Sequence, residues 1–347
     1  MIEFQVSANY LYKVQHGDEG RWHSYNIRFM TIKRYLLLIL IITLNSGLLI
    51  GQQDKKTVSD LKITTLSTML VNGKGIGEWG YSALVEVDGR KLLFDTGSRP
   101  ETVLQNALEL DIDLSDVQDV FLSHHHWDHI GGLLTLRKEL KKRNPDALTR
   151  IHVGEGIFSK RVNSENTILA MRDELEADGV ELIIYAEQQE LFPGVWITGP
   201  INRIHDERNW SGNSKIETDS GIIEDTIPED QSLVIDTENG LVLISGCGHA
   251  GLINTLEHVS ANGNKKKVST IIGGFHLFRA SDEQLEWTAG KLKDFGVSQI
   301  IGAHCTGINA LYALRDFLEL NRGDAIVGSV GDSFDLKTGI KAGPIAR

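Results

Sequence analysis

Cysteine is scarce here. Two residues in 347 are too few for a disulfide scaffold. Proline is scarce too, six residues against 35 glycines, which points to many tight turns. Positive charge is in deficit. Lys plus Arg is 35 against 47 Asp plus Glu, a net charge of -12, so no global basic field attracts nucleic acid or an anionic membrane. Internal repeats and low-complexity tracts are absent. At 41% hydrophobic and 24% charged the chain reads as globular, neither disordered nor collagenous. Its length suits one large domain or two ordinary ones, with enough chain to bury a real core. What the chain does have is histidine, twelve residues, and they are not scattered.

The first 53 residues read separately from the rest. Thr31-Ile32-Lys33-Arg34 is a short basic segment after Met30, and an apolar run from Tyr35 to Ile42 follows it. That order predicts a secretory signal over 30–53 and an exported protein, periplasmic or secreted. A retained membrane anchor is the alternative. The polar break at Asn45-Ser46 leaves the apolar run short of the roughly 20 residues a span needs. Met30 reads as the start, with 1–29 an extension ahead of it. Removing residues 1–53 takes away five basic and three acidic residues, leaving the remainder at net -14.

From about Leu61 short β-type runs alternate with helical ones. Lys62–Ser67 alternates like a strand. Ser82–Val87, Asp88-Gly89 and Lys91–Phe94 predict a hairpin. Val120-Phe121-Leu122 ends a buried strand. Helical spacing marks Gly131–Lys142, with basic residues at its end, and Ile168–Ala177. In the second half Ser232–Asp236 and Leu241–Ile244 form another hairpin through Glu238-Asn239-Gly240. Helices over Leu252–Ser260, Asp282–Phe295 and Ile308–Leu318 then alternate with strands at Thr270–Ile272 and Ile300-Ile301. Asn202–Glu229 is polar, long and without periodicity, as an active-site flap would be. The pattern predicts an α/β (α+β) domain over 58–347, two mixed sheets packed together with helices outside.

Ser123-His124-His125-His126-Trp127-Asp128-His129 follows a buried strand and precedes a helix. Alternate side chains of an extended turn point the same way, so His124 and His126 can grip one ion. The helix start swings Asp128 and His129 toward a second position. Imidazole with carboxylate suits Zn²⁺, Mn²⁺ or Fe. Three later histidines each close an apolar strand at a glycine-rich turn, where functional groups collect. They are His249 in Gly246-Cys247-Gly248-His249, His276 in Gly273-Gly274-Phe275-His276, and His304 in Gly302-Ala303-His304-Cys305. His152, inside a strand, and His258, on a helix, read as structural.

The order H-x-H-x-D-H between strand and helix resembles the metallo-β-lactamase superfamily. The resemblance implies an αββα sandwich with one or two divalent metal ions, zinc first, at its edge. It implies His124, His126 and His249 around one ion, and Asp128, His129 and His304 around a second, with Asp128 alternatively the base that positions water. His276 and Cys247 are further candidate ligands. Asp95, in Phe94-Asp95-Thr96-Gly97, looks like the strand-end aspartate that orients a ligand from behind. Most two-metal hydrolases of the superfamily carry a bridging aspartate where this chain has Gly246-Cys247. Cys247 is therefore a candidate soft ligand, or a disulfide partner of Cys305.

The combination G-C-x-H-x-G, G-G-F-H-L and H-C-T-G, with Glu78–Ser82 and Pro228–Leu233, is similar to one branch, that of the archaeal dihydropterin-ribofuranosylaminobenzene-phosphate synthase and superfamily II metal-dependent hydrolases. The resemblance spans roughly Leu61 to Asp332. It implies a metal-dependent hydrolase acting on a small molecule through activated water. A transferase using the metal as Lewis acid, and a non-catalytic metal-binding domain, are the alternatives. Nucleic acid is not an expected partner, and membrane contact is expected only if the N-terminal segment is retained.

Overall fold

The computed structural model describes residues 57–218, 220–261 and 266–345. The extension and signal read over 1–53 lie outside the described residues. No helix among the described residues is long and apolar enough to cross a membrane.

The first half runs β1 (Leu61–Ser67), β2 (Leu70–Val71), β3 (Ser82–Val87), β4 (Arg90–Phe94), α1 (Thr102–Glu109), β5 (Asp119–Leu122), α2 (Trp127–Ile130), α3 (Leu133–Leu140), β6 (Arg150–Gly154), α4 (Thr167–Ala177) and β7 (Glu181–Tyr185). The second half continues with β8 (Gln189–Phe192), β9 (Val195–Ile197), β10 (Lys215–Thr218), β11 (Gly221–Glu224), β12 (Ser232–Thr237), β13 (Gly240–Ser245), α5 (Leu252–Ala261), β14 (Val268–Gly273), α6 (Asp282–Phe295), β15 (Gln299–Gly302) and α7 (Ile308–Phe317). Short strands β16 (Ala325–Val327), β17 (Ser329–Val330), β18 (Ser333–Asp335) and β19 (Gly339–Lys341) close the domain.

Two large mixed sheets result. One is ordered β19-β18-β1-β3-β4-β5-β6-β7 and the other β16-β15-β14-β13-β12-β9-β8. Apolar side chains of both sheets meet in one core that includes Tyr81, Phe94, Phe121, Ile235, Ile244 and Ile301. A second core lies under α1, α3 and α4, and a third under α5, α6 and α7. Helices, sheet, sheet and helices form four layers, the expected sandwich. Sheet formation follows residue type. β5 and β14 are apolar on both faces and pair in parallel with their neighbours, as strands covered on both sides do. Helix α6 starts at a capping box, Ser281 with Gln284, which satisfies two otherwise orphaned N–H groups.

Phe94 is fully buried and its ring stacks on Phe121 at 4.9 Å between centroids. Phe94→Ala is expected to cost about 3–5 kcal/mol of stability. A denaturant midpoint like that of the parent would contradict this account of the core.

One sequence expectation changes. The Asn202–Glu229 segment is not unstructured throughout, because β10 and β11 pair within it as an antiparallel hairpin. Seven of the eight residues in those strands are exposed or half-exposed, Ile216 being the buried one. A hairpin with almost no buried face carries no hydrophobic alternation to read.

The topology gathers the chemistry at one edge. Strands β4, β5, β13, β14 and β15 run toward the same rim, and their carboxyl ends carry Asp95, Ser123-His124, Gly246-Cys247, Phe275-His276 and His304. The carboxyl ends of parallel strands are where open α/β sheets place ligands.

Candidate metal centre

Asp95 ties the site together. It is fully buried. Its Oδ1 accepts from the Ser123 N–H at 2.7 Å, and its Oδ2 accepts from Ser123 Oγ at 2.7 Å and pairs with His129 Nδ1 at 2.7 Å. The loop after β4 also holds α2, whose His129 carbonyl accepts from Thr96 N at 2.7 Å. Asp95 adopts φ 50°, a left-handed conformation that Asp tolerates better than most side chains.

These contacts set the imidazole tautomers. Ser123 Oγ gives its one proton to Asp95, so at 2.9 Å from His124 Nδ1 it accepts from that ring. His129 Nδ1 donates to Asp95, and His249 Nδ1 donates to the Asn209 carbonyl at 2.5 Å. In His124 and His249 that leaves Nε2 with its lone pair. His124 Nε2 and His249 Nε2 are buried and make no hydrogen bond. Buried polar atoms are rarely left so, and rings fixed through one nitrogen while offering the other are the arrangement seen at metal sites.

The side chains fall into two groups. The rings of His124, His126 and His249 form a triangle with centroids 4.6, 4.7 and 4.8 Å apart. Beside it, Asp128 Oδ2 lies 3.2 Å from His304 Nε2 and 4.0 Å from His129 Nε2. Cys247 Sγ is 3.1 Å from His129 Nε2. His276 stands next to the triangle, its ring 4.7 Å from that of His249. All the candidate ligands named from the sequence therefore come together in one cluster, with Asp95 behind them.

The electrostatics suit a cation. Burial, then the neighbouring imidazoles, push His124 and His249 well below the ordinary histidine value. Burial and His125 push His126 down to about 3. These rings are neutral, the ligating form. Burial also works against a charge on His129, but Asp95 and Asp128 overcome it and raise it to about 9. Burial disfavours the Asp128 carboxylate, yet His129 and His304 hold it well below the usual range.

Comparisons with known proteins place the chain in a family. Residues 80–145 match the family model described as the metallo-beta-lactamase superfamily. The chain is 30% identical over 270 residues to the 7,8-dihydropterin-6-methyl-4-(beta-D-ribofuranosyl)-aminobenzene-5'-phosphate synthase of Methanocaldococcus jannaschii, covering 73% of this chain and 90% of that protein. The chain belongs to the metallo-β-lactamase superfamily. The crystal structure of Tm1679, titled a metal-dependent hydrolase of the beta-lactamase superfamily, matches with a TM-score of 0.65 and 26% identity over 79% of this chain and 98% of that one. The metallo-beta-lactamase fold protein YhfI from Bacillus subtilis shares the fold, with a TM-score of 0.51 and 14% identity over 80% of this chain and all of that one.

Around this superfamily centre the structure adds residues that sequence reasoning left without roles. Glu229, buried, takes His125 Nδ1 at 2.6 Å and Arg161 Nη2 at 2.8 Å, which turns His125 away from the triangle. Burial pushes its neighbour Asp230 up to about 7, and Asp230 accepts from the Ala250 N–H at 2.7 Å, bracing the turn that carries His249. Glu78 clamps the loop after β4 through Ser98 N and Arg99 N, both at 2.9 Å. The quoted motifs contained Glu78, Glu229 and Asp230, but a buried carboxylate's partner is a tertiary fact. His152 is buried between Asp119 at 2.8 Å and the Tyr185 hydroxyl at 2.9 Å, and takes no part in the centre. His258 contacts the Thr198 carbonyl and His205 faces Glu257. Cys247 and Cys305 are free thiols, so the disulfide alternative is not formed here.

Two clefts open onto the centre. One, about 660 Å³, is bordered by His126, His249, His276, Trp210 and Phe278. The other, about 430 Å³, shares Asn209, Trp210, His276 and Arg279 with it and extends to Trp287. Both are of a size for small-molecule ligands. Trp210 is sandwiched by Arg203 and Arg208 at 4.7 and 5.4 Å from its ring centre, so the 202–229 segment forms a wall of both clefts.

Proposed function

We propose that the protein is a metal-dependent hydrolase of small molecules. The observation that carries this reading is the set of buried imidazole nitrogens without hydrogen-bond partners, His124 Nε2, His249 Nε2 and His304 Nδ1, gathered with His304 Nε2 beside Asp128 and His129. His124, His126 and His249 would hold one divalent ion, and Asp128, His129 and His304 a second. Zinc suits this donor set best, since imidazole, carboxylate and thiolate all bind it. A divalent ion held there supplies Lewis acidity and lowers the pKa of water to about 7. Asp128 stays ionised beside the histidines, the form in which a carboxylate ligates. Asp95 fixes the orientation of His129 through Nδ1 and, through Ser123, keeps His124 in the ligating tautomer. The Trp210 wall limits entry to small molecules, and the charge of -12 disfavours polyanions.

A second reading is a transferase like the synthase, with the metal as Lewis acid. The 30% identity across 90% of the synthase supports it. Turnover separates the two. Water-dependent cleavage of esters, lactones or phosphodiesters by zinc- or manganese-loaded protein supports the hydrolase. Pterin binding with no hydrolysis of any of these supports the transferase.

The site assignment has its own test. His126→Ala and His249→Ala are each expected to weaken metal binding by more than the roughly 10- to 100-fold seen when an outer partner of a ligand is removed, while circular dichroism stays that of the parent. Parental metal content in both variants would overturn the assignment.

A further inference from the structure

Cys247 stands where two donor groups meet. The ligand atoms of His124, Cys247 and His249 all lie within 4.8 Å of one another, and so do those of His129, Cys247 and His304. Its sulfur belongs to both groups, whereas each imidazole in them belongs to one; a third set, Cys247 with His276 and Cys305, lies within the same distance. The five side chains of those two groups are buried, with at most 3% of their surface exposed. The sulfur sits 3.1 Å from His129 Nε2, while His124 Nε2 and His249 Nε2 lack hydrogen-bond partners and His304 Nε2 faces Asp128 Oδ2 at 3.2 Å.

The backbone holds the sulfur there. A Cβ on Gly246 would stand 2.0 Å from Ser123 Oγ and 2.8 Å from Asp95 Oδ2, so Gly246 is pressed against the residues that orient His124 and His129. Cys247, the next residue, is carried alongside those two rings. An aspartate would reach two ions with two oxygens. A thiolate has several lone pairs on one atom, and about 2.3 Å to each ion lets it span the 3.5–4 Å typical of two-metal sites.

We propose that the Cys247 thiolate is the shared ligand of the centre, one sulfur joining the ion held by His124, His126 and His249 to the ion held by Asp128, His129 and His304. The thiol gives up its proton as the ions bind, so loading releases it to solvent. Cys305, 3.3 Å from Cys247 Sγ and grouped with it and His276, is assigned no part in the bridge, which the variants below test. This proposal rests on the two-ion reading above and adds a soft ligand that no oxygen-only bridge supplies.

Cobalt(II) titration of the full chain without a histidine tag tests it, because cobalt–thiolate bonds give a charge-transfer band in the near ultraviolet. The expected result is a band that grows through both the first and the second equivalent. It is expected to vanish in Cys247→Ser and persist in Cys305→Ser. Cys247→Asp is expected to keep two equivalents without the band. A band complete at one equivalent would overturn sharing. Two cobalt ions bound with no band, or a band lost only in Cys305→Ser, would overturn the proposal and leave the metal reading standing. No bound cobalt would overturn both. The wild-type and Cys305→Ser titrations decide the matter even if Cys247→Ser does not fold.

Discussion

Asp95→Ala is expected to cost at least about 3–5 kcal/mol, the range for breaking a buried charge pair by removing one partner. Three donors lose their acceptor at a fully buried position: the Ser123 N–H, the Ser123 hydroxyl and His129 Nδ1. Each buried polar group left without a partner costs about 1–3 kcal/mol. Alanine at φ 50° adds about 1–2 kcal/mol of backbone strain. Asp95 also favours the charged form of His129, and without it that ring is expected to fall toward the neutral form. The melting temperature should drop by roughly 10 °C. Metal affinity should fall about 10- to 100-fold, because His124 and His129 lose the group that fixes their tautomers. Asp95→Asn keeps one acceptor oxygen and tolerates positive φ, so its loss should be smaller. A melting temperature for Asp95→Ala within about 2 °C of the parent, less than 1 kcal/mol for a domain this size, would remove Asp95 from the centre of the account.

Gly246→Ala is expected to do still more damage, at least about 4 kcal/mol or no folded protein at all. The added methyl would lie 2.0 Å from Ser123 Oγ, 2.6 Å from Ser123 Cβ and 2.8 Å from Asp95 Oδ2. None of these is the end of a flexible side chain. Ser123 and Asp95 are locked to each other by two hydrogen bonds, so relief requires moving β5, β13 or both. A glycine of the opposite kind is the control. Gly290 lies in α6, exposed, and a Cβ there meets nothing within 4 Å. Gly290→Ala should stabilise by about 0.4–1 kcal/mol. Both are read by chemical denaturation, and equal midpoints for the two variants would contradict the packing described around Gly246.

Much of this was legible in the sequence because the governing signals are local. Helix α6 has its cap, its apolar spacing and the Gly296 stop in one stretch. The hairpin β3–β4 has alternation around Asp88-Gly89. The histidines could be grouped because each followed a strand end, and parallel strands put their ends together. What stayed hidden depends on partners distant in sequence. Glu229 meets His125 across 104 positions, and nothing local marks that pairing. Cys247 read as one more candidate ligand, and only the folded rim shows its sulfur common to both donor groups. The short strands β16 to β19, of two or three residues each, are too short to show a period.

Metal content per chain is the most direct test of the central claim. The full chain would be purified without a histidine tag, reconstituted with zinc, dialysed and measured by elemental mass spectrometry against protein concentration. The account predicts roughly two ions per chain, as two-metal sites of this kind hold. A folded protein that retains none, with zinc, manganese or iron, would contradict it.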